Sequence, residues 1–275
     1  MRRRQLLAAL LLAPLLALPA ARAANLDDLK AAGVLRVAVY RDFPPYSFIR
    51  NGELAGIDIE LARAIGKRLG LAVNFMPLTA TEDVDGDLRN AVWKGHYLGG
   101  GTADLMLHVP FDAELARRND NVHLFGAYYR EQLAWAGQSV PGSAWQIGSQ
   151  RIAVENDSLA DLYLSALQGG RLRGQLQHYP SPVAACAALQ NGQADAVFGS
   201  RSELEWTLHG DGWQLGQPQT PGLLKAGWEI GMATKESLRD LAWAAGDALA
   251  ELRSSGELAA IFQRYHVSYR PADEH

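Results

Sequence analysis

Apolar and polar positions along this chain switch between two periodicities, and the switching repeats. Residues 35–39 (Leu-Arg-Val-Ala-Val) form a short, nearly continuous apolar run, the pattern of a buried strand. A loop of aromatic residues and prolines follows over 40–48, and Asn51-Gly52 marks a turn. Leu61, Ala62, Ile65 and Leu69 then recur at helical spacing, with Asp58 as the expected cap and Gly70 as the stop. Residues 71–75 read as a second strand. A third, 103–107, delivers His108 and Asp112 at its C-terminal end. Between them, 79–101 is rich in Asp and Gly, with a helical piece expected around 88–93. Strand, helix and strand in this order predict βαβ units and a mostly parallel sheet.

A second series has the same grammar. Strands are expected at 133–136, 151–154 and 194–198, with helices over 159–167 and 182–189. Glu155, Asn156, Asp157 and Ser158 offer capping side chains to the first of these helices, and Asp157 is expected to occupy its N-terminus. After a loop rich in Gly, Pro and Gln (210–222) comes a strand at 228–233, then helices over 237–253 and 256–265. Those last helices have no strands beside them in sequence. Two α/β lobes, with the last segment returning to the first, accommodate the whole pattern.

The N-terminus has a different pattern. Arg2, Arg3 and Arg4 precede an apolar run over 6–18, and Ala21-Arg22-Ala23 is the small-x-small pattern read by signal peptidase. The run is too short to span a bilayer, so residues 1–23 are expected to be a cleaved signal peptide, exported by the general or the twin-arginine route. No cysteine follows it, so no lipid anchor is expected.

Removal of that segment takes Lys+Arg from 26 to 22 against 30 acids, a net charge of −8. An acidic chain without a basic stripe excludes nucleic acid as a partner. With 48% apolar and 20% charged residues the composition is that of an ordinary globular protein. Cys186 is the one cysteine, so no intrachain disulfide forms, and its small-residue helix marks it as a buried thiol. The seven histidines lack metal-ligand spacing, and no nucleophile elbow, zinc-protease helix or phosphate loop is present. Neither a metal nor a cofactor is expected.

A set of short motifs carries a family resemblance. Gly33-Val-Leu-Arg-Val-Ala-Val39, Phe43-Pro-Pro-Tyr-Ser-Phe48, Gly56-Ile-Asp-Ile-Glu-Leu-Ala62, Gly101-Thr-Ala-Asp-Leu105, Phe125-Gly-Ala-Tyr-Tyr129, Asn191-Gly-Gln-Ala-Asp-Ala-Val197 and Gly256-Glu-Leu-Ala-Ala-Ile-Phe262 resemble, in order, the family 3 periplasmic solute-binding proteins of polar amino-acid ABC transporters. The resemblance implies an α/β, two-lobed periplasmic binding protein type II-like fold with parallel-rich sheets and two crossover hinge segments. The lobes would be 24–130 plus 224–275 and 131–223, with a small-molecule ligand between them. It also implies a soluble monomer in the periplasm, no enzyme, and an ABC permease as partner.

Departures from the family pattern narrow the reading. The stretch after the third strand, His108-Val-Pro-Phe-Asp-Ala-Glu-Leu-Ala116, lacks at the expected offset the Arg that grips an α-carboxylate in family members; Arg117 and Arg118 follow just after, on a solvated helix face or as a shifted contact. Ser200 stands where the family places the Asp that pairs an α-ammonium. A standard amino acid is therefore not the expected ligand. Asp104-Leu-Met-Leu-His-Val-Pro110 also resembles binding-protein homologues encoded with periplasmic PQQ-dependent quinoprotein alcohol and methanol dehydrogenases, which makes an accessory role in such a system the alternative. A second alternative is a cyclohexadienyl dehydratase-like enzyme on the same fold. The expected ligand-binding residues are Tyr40, Phe43, Tyr46, His108, Asp112, Asn156, Ser158, Ser200 and Arg201, the last as a substitute positive anchor.

Overall fold

The computed structural model describes residues 25–273, and the expected signal segment 1–23 lies outside them. The chain runs α1 (Leu26–Ala32), β1 (Val34–Tyr40), β2 (Phe48–Arg50), β3 (Glu53–Ala55), α2 (Ile57–Leu69), β4 (Ala72–Leu78), α3 (Val84–Leu88), β5 (Leu105–Pro110), α4 (Ala113–Arg118) and β6 (Val122–Gly137). It continues with β7 (Ile152–Glu155), α5 (Leu159–Ala166), β8 (Leu176–Tyr179), α6 (Pro182–Gln190), β9 (Ala196–Ser200), α7 (Arg201–Thr207), β10 (Gln214–Gly216), β11 (Gly227–Lys235), α8 (Arg239–Ser254) and α9 (Glu257–Arg264).

The main sheet has the order β4-β1-β5-β11-β6-β9-β7-β8, with β10 also on β6. β1 lies parallel between β4 and β5, and β7 lies parallel between β8 and β9. β6 joins these two parallel groups. Its residues 122–132 pair antiparallel with β11, whereas 133–137 pair with β9. The apolar clusters divide at the same place. Two of them draw on residues between Leu29 and Tyr129 and between Ile230 and Val267, the other two on residues between Leu133 and Leu208. The result is a two-lobed mixed α/β protein. β1 shows why the sequence pattern was legible: Leu35, Val37, Ala38 and Val39 are all fully buried, because helices cover both faces of a parallel strand.

Several local expectations are corrected. Asp58 does not cap α2, which begins one residue earlier behind Gly56. The free amides there are taken by loop carbonyls instead: Ile57 N donates to Pro45 O and Asp58 N to Tyr46 O. Gly56 permits this approach, since its φ is 132° and a Cβ would stand 2.0 Å from the Tyr46 carbonyl oxygen. Asp157 does not occupy the start of α5 either. Ser158 caps it by accepting the Asp161 amide at 3.2 Å, and Asp161 in turn accepts the Asp157 amide. The strand expected at 133–136 is the last quarter of a 16-residue β6. The edge strand β8 (Leu-Gln-His-Tyr) is absent from the expected elements because only one of its residues is buried, too few for an apolar pattern. No helix of the described residues is long and apolar enough to cross a membrane.

Candidate functional site

The C-terminal ends of the parallel strands surround two cavities, and Phe43 lines both. The outer one, about 420 Å³, lies over the ends of β1, β4 and β5 and is lined by Tyr40, Arg41, Phe43, Leu78 and His108 among others. The inner one, about 260 Å³, lies over the ends of β7 and β9. Glu155, Ser158, Ser200 and Glu203 line it together with Leu133 of β6 and Trp228 of β11. Such clefts at strand ends between two packed units are where α/β proteins hold ligands.

His108 stands at the boundary of the aromatic loop. Its ring meets Phe43 edge-on at 4.6 Å and Tyr46 at 4.1 Å between centroids. Its backbone is in the left-handed region at φ 60°, an unusual conformation for a residue with a side chain. Asp58, fully buried in the first turn of α2, sits behind it with Oδ2 3.3 Å from Nδ1. The two are close but misaligned, so neither atom completes a hydrogen bond there. Tyr128 bridges them: its hydroxyl accepts the His108 amide at 3.2 Å and donates to Asp58 Oδ1 at 2.7 Å. Burial first, then the Asp58 charge, pushes the Tyr128 hydroxyl well above its ordinary pKa, so it remains a donor.

Two other aromatic hydroxyls are committed to acids. Tyr40 donates to Asp87 at 2.9 Å, which also accepts the Thr81 amide and hydroxyl. The Tyr46 hydroxyl lies 3.1 Å from Glu131 Oε2 and 2.9 Å from Ser202 Oγ, and the Ser202 hydroxyl donates to the same carboxyl oxygen. This buried network ties the loop after β1 to β6 and α7. Burial, opposed by these hydrogen bonds, raises the Glu131 pKa.

The inner cavity holds the most perturbed acid. Glu203 is 7% exposed, and burial pushes its carboxyl up to about 8, with the charges of Glu155 and Glu131 acting in the same direction against a bond from Ser200. Glu155 is raised by burial alone. None of the residues lining this cavity is Lys, Arg or His.

The structure thus brings Tyr40, Phe43 and His108 to the outer cavity and Phe43, Ser158 and Ser200 to the inner one. It places the other expected residues elsewhere. The Tyr46 hydroxyl is held in its network. Asp112 caps α4 through the Glu114 and Leu115 amides and pairs with Lys225 at 3.1 Å, contacts that hold its pKa below the ordinary value. The Asn156 amide donates to Asp157 on the surface. Arg201, expected as a positive anchor, pairs at 2.6 Å with Glu205 one turn along its own helix. Arg118 likewise pairs with Asp85 on an exposed face. The sequence reading missed Asp58 and Tyr128 behind His108, and Glu203 and Trp228 at the inner cavity. Helical spacing was the available signal for Glu203, since it lies three residues beyond Ser200 and shares its face of α7.

Residues 35–90 match the bacterial extracellular solute-binding proteins, family 3. No curated protein matches the chain in sequence. Among solved structures, an ancestral cationic amino acid solute-binding protein superposes with a TM-score of 0.68 at 19% identity, covering 88% of this chain and 99% of that one. The second substrate-binding domain of GlnP from Lactococcus lactis, in its open conformation, gives 0.62 at 20%, covering 85% and 95%. A histidine kinase sensor domain similar to periplasmic binding proteins gives 0.60 at 22%, covering 86% and 98%. The finer tie to quinoprotein alcohol dehydrogenases finds no support in these likenesses. The resemblance drawn from the sequence therefore holds: the chain matches the family 3 solute-binding proteins over residues 35–90 and has, over 88% of its length, the two-lobed periplasmic binding protein fold.

Proposed function

We propose that this chain is a periplasmic solute-binding protein whose lobes, 24–130 plus 224–275 and 131–223, enclose a small ligand other than a standard α-amino acid. The inner cavity carries this reading. Its wall combines Phe43 from the loop after β1, Trp228 and Leu133 near the two crossings, and Ser158 and Ser200 from the strand ends beyond them. A ligand there touches both lobes, so closure by a hinge at the crossings follows from binding. With no Lys, Arg or His in the wall, an α-carboxylate would lose the charge-assisted bonds, about 1.5–3 kcal/mol each, that make such a group bindable. The closed form would then be presented to an ABC permease, with the protein acting as a monomer after export.

Glu203 favours one competing reading, a dehydratase-like enzyme, because an acid with a pKa near neutrality is suited to proton transfer. Against it stands the same wall, which offers no cation to grip the carboxylates of such substrates. A thermal-shift panel of amino acids, organic acids, alcohols and amines tests the receptor reading. A ligand at 100 times its Kd should stabilise the protein by about 2.7 kcal/mol, several degrees at this size. A shift with a free amino acid alone overturns the ligand class. No shift with any compound overturns the receptor reading and favours the accessory role.

A further inference from the structure

The inner cavity has an imbalance that folding does not explain. Two carboxyl side chains, Glu155 from the end of β7 and Glu203 from α7, line a space of about 260 Å³, and none of its lining residues is a cation. Glu203 is nearly fully buried, and a hydrogen bond with the Ser200 side chain opposes the rise of its pKa. Glu155 has no side-chain partner that lowers its pKa. Two neighbouring acids add to the problem, Glu131 from β6 and Glu155 from β7, whereas Cys186 of α6 is a neutral thiol. Buried acids normally stand beside a cation or a metal, because an unpaired carboxylate loses its hydration without return. Three aromatic residues, Phe43, Phe198 and Trp228, stand in the same wall, Phe43 and Trp228 coming from outside the β7–β9 group. Carboxylates with aromatic rings form the usual receptacle for an organic cation, one supplying charge and the other its quadrupole.

We propose that the ligand is a small organic cation, an amine or amidine without an α-carboxylate, whose charged head is received by Glu155 and Glu203 beside Phe43 and Trp228. This rests on the reading of the cleft as a ligand site and names the chemistry of that ligand. Ser200, at the mouth of α7, removes the charge that an acid there would add, while Glu203, one turn deeper, places it further inside the cavity. The head of a zwitterion would enter with its carboxylate facing the same two acids. That repulsion sets the preference for the decarboxylated compound.

Isothermal titration of the exported form, with 1,4-diaminobutane and phenethylamine against ornithine and phenylalanine, and with benzoate and benzyl alcohol as anionic and neutral probes, tests the proposal. The amines should bind at least tenfold more tightly than the matching amino acids. Binding at pH 7 should release protons, seen as a dependence of the heat on buffer ionisation enthalpy, and affinity should weaken from pH 8 to pH 6. Glu203→Gln should abolish the proton release and, like Glu155→Gln, cost tenfold or more in affinity. Amine binding that survives both substitutions overturns the assignment. Tighter binding of the amino acids, or binding of benzoate or benzyl alcohol without the amines, overturns the cation class while leaving the cleft a ligand site. No heat with any of the six compounds overturns the ligand-site reading and the cation with it.

Discussion

Replacing Glu203 by Gln should remove a specific pH dependence from the stability of this protein. The carboxyl rises from an ordinary 4.5 to about 8 in the folded chain, chiefly by burial. Between those two values the folded state keeps a proton that the unfolded state has released. Unfolding is therefore favoured as pH rises through that window, and the dependence is flat below and above it. At roughly 1.4 kcal/mol per pH unit, the loss accumulated by pH 8 is on the order of 4 kcal/mol. Glutamine has nearly the same shape, keeps a partner for Ser200 and does not titrate. Urea denaturation of both proteins at pH 5, 6, 7, 8 and 9 isolates the effect, because Glu131 and Glu155, also raised by burial, titrate in both and cancel in the difference. The variant should match the natural protein at about pH 5 and exceed it by several kcal/mol at pH 8. Parallel stability curves would refute the reasoning and place Glu203 in contact with water or with a cation when folded.

Three further outcomes follow from the same geometry. Tyr46→Phe removes a hydroxyl from the buried Glu131–Ser202 network while leaving the rings packed, so stability should fall by about 1–3 kcal/mol, read as a Tm lower by several degrees; an unchanged Tm would mean the network carries nothing. Arg201→Ala breaks only the pair with Glu205, so calorimetric affinity for any cleft ligand should stay within twofold. A tenfold loss would restore Arg201 as a ligand anchor. Cys186 is fully buried, and burial pushes its thiol up to about 12, so a thiol-specific reagent at pH 8 should label no cysteine in the folded protein and one per chain in denaturant. Rapid labelling of the folded form would show α6 to be loosely packed.

Some of this protein was legible in its residues because the physics involved is local. A strand buried on both faces must be apolar throughout, and 35–39 announced β1 on that ground alone. Ser158 could be read as a helix-start residue, and Asn51-Gly52 as a turn, because caps and turns are solved within a few residues; the left-handed backbone at both turn positions is what the pair supplies. The family resemblance came from motifs of this local kind, and so did the absence of a gripping Arg after β5. What only the tertiary structure decided concerns groups whose partners are distant in sequence. Asp58 reads as a cap until Tyr128, 70 residues away, claims its carboxylate, and until loop carbonyls take the amides it would have served. Arg201 reads as an anchor until its helix brings Glu205 within 2.6 Å. Glu203 is not singled out by anything beside it in sequence. Its burial, and the company of Glu131 and Glu155, exist only once β6, β7 and α7 converge, because desolvation is a property of everything packed around a group and none of the residues beside it in sequence sets it.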